Sequence, residues 1–213
     1  MVFVQSDALE FLRSQKDASF DFIHADPPYN NFIPKYHREG SYDFNISRFV
    51  DMTISSEYLI EVVKECFRIL KEGNFLLWMG YKQLILLPEF IKVGFNFRDL
   101  IIAYKYNHPP VYRHQILIPN FELCLRLVKG KGYIDSLTAY KLNKQRAVFE
   151  VSNSYKHRHT CMKNPDLMES LIQIFTKETD NCLDLFSGSR IFEEKCEKLG
   201  RRCTSVDLQG MQW

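Results

Sequence analysis

The apolar run Phe20-Asp21-Phe22-Ile23-His24-Ala25 is halted by Asp26-Pro27-Pro28-Tyr29-Asn30. No other stretch limits the fold as tightly. Six mostly apolar residues ahead of a turn signal read as a buried strand. Two consecutive prolines donate no backbone hydrogen bond, so a central ladder stops there. The strand thus delivers a carboxylate, a carbonyl and an aromatic ring to its carboxyl end, the edge of an open α/β sheet where ligands sit. These groups are suited to gripping a flat ring that bears an amino group.

Along the rest of the chain strands alternate with helices, which argues for a mostly parallel sheet. Val2–Gln5 reads as a strand and 8–14 as a short helix. Residues 56–70 form an amphipathic helix, with Leu59, Val62, Val63, Cys66, Phe67 and Leu70 at three- and four-residue steps and Gly73 as its stop. Strands are expected at 75–79, 100–106, 121–128, 181–186 and 203–208. Helices are expected at 84–93, closed by Gly94, and at 166–175 and 191–199. Residues 129–160 carry no clear pattern. The 213 residues form one core, read as a single domain over 1–213.

Composition excludes several classes. No apolar run approaches the roughly 20 residues of a membrane span, and the first residues lack the basic and apolar regions of a signal peptide. A cytoplasmic location is expected. The six cysteines include no C-x-x-C pair and read as reduced buried thiols, not a metal site. His157 and His159 have no third metal-type neighbour and read as surface or polyanion-facing; no metal is expected. The net charge of +2 conceals a basic middle: residues 104–163 hold 11 Lys/Arg against 3 Asp/Glu. That imbalance suggests a local polyanion contact.

A second loop comes late, at Leu183-Asp184-Leu185-Phe186-Ser187-Gly188-Ser189. A strand entering a small-residue turn and then a helix lets a ligand approach the backbone. The next strand ends on Asp207, a place suited to ribose hydroxyls. Together they describe a nucleoside-binding βαβ unit.

The order of these segments resembles the DNA amino-methyltransferases of the circularly permuted β group, in which a DPPY motif precedes the target-recognition segment and an F-x-G-x-G loop comes last. Ser6-Asp7-Ala8-Leu9 resembles their opening acid-bearing turn. Arg68-Ile69-Leu70-Lys71-Glu72-Gly73 resembles their R-x-L-K-x-G helix end. Tyr104-Lys105-Tyr106-Asn107 with Pro110 and Glu122 resembles K-x-N-x-x-P and E. Thr160-Cys161-Met162-Lys163-Asn164-Pro165 resembles, with one extra residue, T-x-K-P. Gly200-Arg201-Arg202 before the last strand also fits.

The resemblance implies a Rossmann-like, S-adenosylmethionine-dependent methyltransferase fold: a mixed, mostly parallel sheet with helices on both faces. It implies Asp26, Pro27, Pro28 and Tyr29 as catalytic residues. The implied cofactor contacts are Asp7, Ala8, Asp26, Lys163, Asn164, Pro165, Asp184, Phe186, Ser187, Gly188, Ser189 and Asp207. Asp26 and the Pro27 carbonyl would accept the two amino hydrogens of a flipped base and stabilise its developing positive charge. Tyr29 would stack on that base. The absence of a Pro-Cys dipeptide excludes the C5-cytosine route. Double-stranded DNA is the expected partner, read across an approximate recognition segment 107–160. Candidate contacts are Asn30, Lys105, Asn107, Arg113, His114, Lys129, Lys131, Lys144, Arg146, Lys156 and Arg158, with Lys141 nearby. A homodimer and a cognate restriction endonuclease also go with the resemblance.

One departure stands out. The second loop glycine of the family is Arg190 here, where a long cation hinders close packing unless it swings out to solvent or pairs with the methionyl carboxylate of the cofactor. The resulting expectation is that the protein binds the cofactor weakly or needs a partner to do so. Adenine N6 is favoured as the target because the motif carries aspartate. The alternatives are cytosine N4, a DNA-binding relative with impaired cofactor binding, and RNA as substrate.

Overall fold

The computed structural model describes residues 1–29, 54–107, 119–152 and 162–209. It holds one eight-stranded sheet in the order β1-β8-β7-β2-β3-β5-β4-β6. The strands are β1 (Val2–Gln5), β2 (Phe20–Ala25), β3 (Leu70–Met79), β4 (Asn96–Lys105), β5 (Phe121–Lys129), β6 (Val148–Val151), β7 (Asn181–Leu185) and β8 (Arg202–Asp207). Every neighbouring pair is parallel except the two made by β5. The expectation of a mixed, mostly parallel sheet is met.

Helices cover both faces. The alternation in β2 shows why: Ile23 and Ala25 join one core cluster, Phe22 the other. Under Ile23 lie α1 (Ala8–Ser14), α2 (Ser56–Ile69) and α3 (Leu87–Val93). Under Phe22 lie α4 (Ser136–Lys141), α5 (Pro165–Phe175) and α6 (Ile191–Lys198). The stripe Leu59, Val62, Val63, Cys66 and Ile69 of α2 is fully buried, and each larger side chain contributes about 1.5–3 kcal/mol.

The structure departs from the sequence reading in places with clear causes. Helix α2 does not stop at Gly73. Leu70 already turns extended, and the chain runs straight into β3. Gly73 is needed inside that strand because a Cβ there would sit 2.2 Å from the Asp21 carbonyl oxygen, where the β2–β3 register shifts. A 3₁₀ turn, Tyr81–Leu86, precedes α3, and Gly94 closes it at φ 124°. The unpatterned 129–160 region contains α4 and the edge strand β6.

Topology fixes the ligand edge. From β7 the chain crosses by α6 to β8, and from β2 it crosses by α2 to β3, on opposite faces and in opposite directions. The gap between the carboxyl ends of β7 and β2 is therefore a topological switch point. Ala25 pairs with Leu185 there, and the Asp26 N–H donates to the Leu185 carbonyl at 3.3 Å. Among the described residues no helix is long and apolar enough to cross a membrane.

Candidate active site

At the switch point the Asp26 carboxylate is held from two sides. The Tyr29 hydroxyl donates to Oδ1 at 2.8 Å, and Lys163 Nζ donates to Oδ2 at 2.6 Å. Burial first, then the nearby Asp26 and Glu122 charges, push the Tyr29 hydroxyl well above its ordinary range, so it stays a proton donor. Pro27 is buried and Pro28 partly so, which fixes the turn that aims Asp26 outward.

Lys163 is 7% exposed. Its ammonium lies 5.2 Å from the Tyr29 ring centre and 5.1 Å from that of Trp78, faces that attract a cation. Glu122 Oε2 is 3.5 Å away, and Lys105 donates to Glu122 Oε1. Burial acts to raise the Glu122 carboxyl, but Lys163 and Lys105 outweigh it and hold the group below the usual range. Glu122 and this use of Lys163 were missed as site features in the sequence. The only signal was Glu122's place in the K-x-N…E resemblance.

Beneath Asp26 lies a second polar group. His24 Nδ1 is 2.6 Å from Asp184 Oδ1, and the Trp78 indole N–H donates to His24 Nε2 at 3.0 Å. Because Nε2 accepts, the ring proton belongs on Nδ1, which donates to Asp184. Phe192 stacks on the imidazole at 4.5 Å. Burial pushes the Asp184 carboxyl up, and the His24 hydrogen bond opposes it. Asp184, expected at the cofactor, is instead 1% exposed and committed to His24.

The late loop adopts left-handed backbone at Phe186 (φ 61°), Gly188 (φ 39°) and Arg190 (φ 55°). Ser187 N–H donates to the Val206 carbonyl at 3.0 Å, and Gly188 N–H donates to Asp207 Oδ2 at 2.8 Å. Asp207 Oδ1 accepts from Gln209 N–H at 2.9 Å. The loop thus wraps the end of β8 and presents the Asp207 carboxylate beside it. Ser187 Oγ is the one buried side-chain polar atom among the described residues with no hydrogen-bond partner. Such an orphan costs about 1–3 kcal/mol, and a polar ligand removes that penalty. The loop therefore fits a hydroxyl- and amino-bearing nucleoside.

Arg190 does not fill this loop. Its guanidinium forks onto Glu193, with Nε to Oε2 at 2.6 Å and Nη2 to Oε1, and lies 4.9 Å from the Phe3 ring centre. The obstruction expected from the missing glycine is displaced into backbone strain at a left-handed arginine.

Other candidates are placed as follows. Asp7 caps α1, accepting from Leu9 and Glu10 N–H on Oδ1 and from the Tyr58 hydroxyl on Oδ2 at 2.7 Å; Ala8 is buried in that first turn. Asn164 caps α5, with Pro165 in its first turn. Ser189 sits in the loop turn, and the Arg190 N–H behind it donates to the Ser187 carbonyl. Lys105 and Asn107 stand at the carboxyl end of β4, on the site's edge. Lys129 does not: its ammonium donates to the Phe67 and Leu70 carbonyls at 2.7 Å each, capping the end of α2. Lys131 follows it on that far edge, where β5 pairs with the start of β3. Lys144 and Arg146 precede β6 on its amino side, again away from the site's edge. The basic middle is thus split between two edges, because β5 returns antiparallel. Asn30, Arg113, His114, Lys156, Arg158 and the His157/His159 pair lie outside the described residues.

A twisted α/β sheet with a carboxylate and a nucleoside-type loop at its switch point defines a methyltransferase-class fold. Residues 20–210 match the DNA methylase family of amino-methylating (N6/N4) enzymes, and the chain belongs to that family. The type II methyltransferase M.BamHI of Bacillus amyloliquefaciens is 27% identical over 95% of this chain and 53% of its own length. M2.DpnII of Streptococcus pneumoniae, also a type II methyltransferase, is 26% identical over 98% of this chain and 85% of its own. The chain thus spans about half the length of the first of these relatives. Among solved structures, the M1.HpyAVI–SAM complex superposes with a TM-score of 0.69 at 22% identity, covering 98% of this chain and 94% of that one. The cytosine-N4-specific PvuII DNA methyltransferase gives 0.73 at 18% identity, over 97% and 81%. These likenesses show the fold.

Proposed function

We propose that the protein transfers a methyl group from S-adenosylmethionine to the exocyclic amino group of a base in double-stranded DNA, with adenine N6 as the target. The observation that carries this reading is Asp26, aimed from the switch point and hydrogen-bonded to Tyr29 and Lys163 beside the Phe186–Ser189 loop. When bound, the cofactor supplies an electrophilic methyl on a sulfonium. Ser187, Gly188 and Asp207 are the residues to hold its nucleoside part.

An amino group conjugated with a purine is a poor nucleophile. Asp26 and the Pro27 carbonyl accept its hydrogens, localise its lone pair and stabilise the charge that develops on nitrogen. Tyr29 gives up its hydrogen bond to Asp26 and stacks on the extruded base, a contact of about 1–3 kcal/mol. Extrusion costs a few kcal/mol, offset by phosphate contacts at the Lys105 edge. A cytoplasmic location, a homodimer and a cognate restriction endonuclease go with this reading.

Cytosine N4 is the second reading, because the same two acceptors serve either amino group and one fold neighbour is cytosine-N4-specific. Incubating duplex DNA with labelled cofactor and digesting it to nucleosides tests both. Labelled N6-methyladenine is expected, and labelled N4-methylcytosine moves the target to the second reading. Retained duplex binding with no label overturns both and leaves a DNA-binding relative.

A further inference from the structure

Four charged side chains alternate in sign from the catalytic carboxylate to the surface: Asp26, Lys163, Glu122 and Lys105. They come from the turn after β2, the segment before α5, β5 and β4. Their side-chain exposures are 19%, 7%, 23% and 27%, so the outermost cation is the most accessible member. Lys163 is shared unequally, 2.6 Å from Asp26 and 3.5 Å from Glu122. A shift of less than an ångström at the end of a flexible four-carbon stem reverses that preference.

We propose that this chain is a relay in which a DNA phosphate engaging Lys105 releases Asp26 for catalysis. The proposal rests on the reading of Asp26 as the amino-group acceptor. A phosphate competes with Glu122 for the Lys105 ammonium through charge-assisted hydrogen bonds. Glu122 is buried enough that losing its outer cation is unfavourable without a replacement. Lys163 is that replacement, since it already sits within ion-pair distance. As Lys163 closes on Glu122 it withdraws from Asp26 Oδ2, and that oxygen becomes able to accept a hydrogen from the base. Lys163 and Glu122 are thus positioning residues that act through Asp26. The carboxylate stays covered until the duplex backbone is docked, which ties chemistry to correct engagement.

Glu122→Gln tests the relay, because a neutral amide gives Lys163 no anionic second station. Coupling within one ion-pair network predicts a fall in kcat of about ten- to a hundredfold, with KM for duplex and for cofactor changed less than about twofold. Glu122→Asp should recover part of the loss. A merely structural role for Glu122 would lower thermal stability and raise both KM values together, and that pattern overturns the relay, as does a wild-type kcat. A second measurement needs neither a variant nor turnover. In the structure of the wild-type protein with duplex, Lys163 Nζ should lie closer to Glu122 than to Asp26. A bound duplex with the Asp26 contact still the shorter one refutes the relay, and so does failure of the protein to bind any duplex. If the wild-type protein binds duplex and labels no base, the proposed activity fails. The Lys163 position in the complex then decides the relay by itself.

Discussion

Replacing Arg190 with glycine restores the residue the loop pattern calls for, yet the structure predicts that the protein becomes less stable. Two terms oppose one another. Arg190 sits at φ 55°, ψ 21°, and relieving a left-handed non-glycine residue gains about 1 kcal/mol. Against this, the guanidinium is the forked partner of Glu193, whose side chain is 7% exposed. Removing one member of a largely buried pair costs about 3 kcal/mol, because the other charge stays behind uncompensated. The balance is a loss of about 2 kcal/mol, or a fall in Tm of about 4–8 °C for a chain of this size. Urea denaturation of wild type, Arg190→Gly and the double variant Arg190→Gly/Glu193→Gln measures it. The double variant should regain most of the loss, since the orphaned carboxylate is gone. An Arg190→Gly protein as stable as wild type refutes the reasoning. In the same samples, calorimetric titration with S-adenosylmethionine reads the loop. Micromolar affinity in the wild type would show that the arginine has been moved out of the way, and tighter binding by the glycine variant would show that it has not.

Asp26→Asn should cut methyl transfer by about a hundred- to ten-thousandfold while duplex binding in a mobility-shift assay is retained. Gly73→Ala forces a Cβ to 2.2 Å from the Asp21 carbonyl and should destabilise the protein by about 1–3 kcal/mol in chemical denaturation. Trp78→Phe leaves His24 Nε2 buried without its donor and should cost about 1–3 kcal/mol. Glu122 is an acid held below its ordinary range, so the folded state binds fewer protons than the unfolded one. The stability it contributes is full at neutral pH and is lost as pH falls from about 4.5 through its lower folded value. Stability measured against pH should flatten in that window in Glu122→Gln, and an unchanged acid limb would count against the pairing.

What was legible in the sequence was local. The strand ending at Asp26, the Phe186 turn and the acid at Asp207 announce themselves by patterns a few residues long, and the alternation of strands and helices gave the sheet its class. Gly73 misled because a glycine after a helix ordinarily ends it. The reason for this glycine is the Asp21 carbonyl, on a strand that lies a whole helix earlier in the chain. Lys129 looked like one more basic residue in a basic stretch, and only the antiparallel return of β5 sends it to the far edge, where it caps α2. Beyond its place in the K-x-N…E resemblance, Glu122 gave no sign of its importance, because its partners, Lys105 and Lys163, meet it only once β4, β5 and the approach to α5 converge. Asp184 carried the right residue type in the right motif, and its hydrogen bond to His24 spans 160 positions.

That hydrogen bond has a consequence for assembly. His24 and Asp184 are facing partners in the β2–β7 ladder, one rung below the Ala25–Leu185 pair that leads into Asp26 and Phe186. A slip of either strand by one residue would turn its side chain to the opposite face and leave the other polar group buried alone among Phe192 and Trp78. Mispaired arrangements of these two strands are thereby penalised in the folding chain before any ligand arrives. The pair acts as an alignment pin, and the distance between the carboxylate and the nucleoside loop is set by a buried hydrogen bond that touches neither.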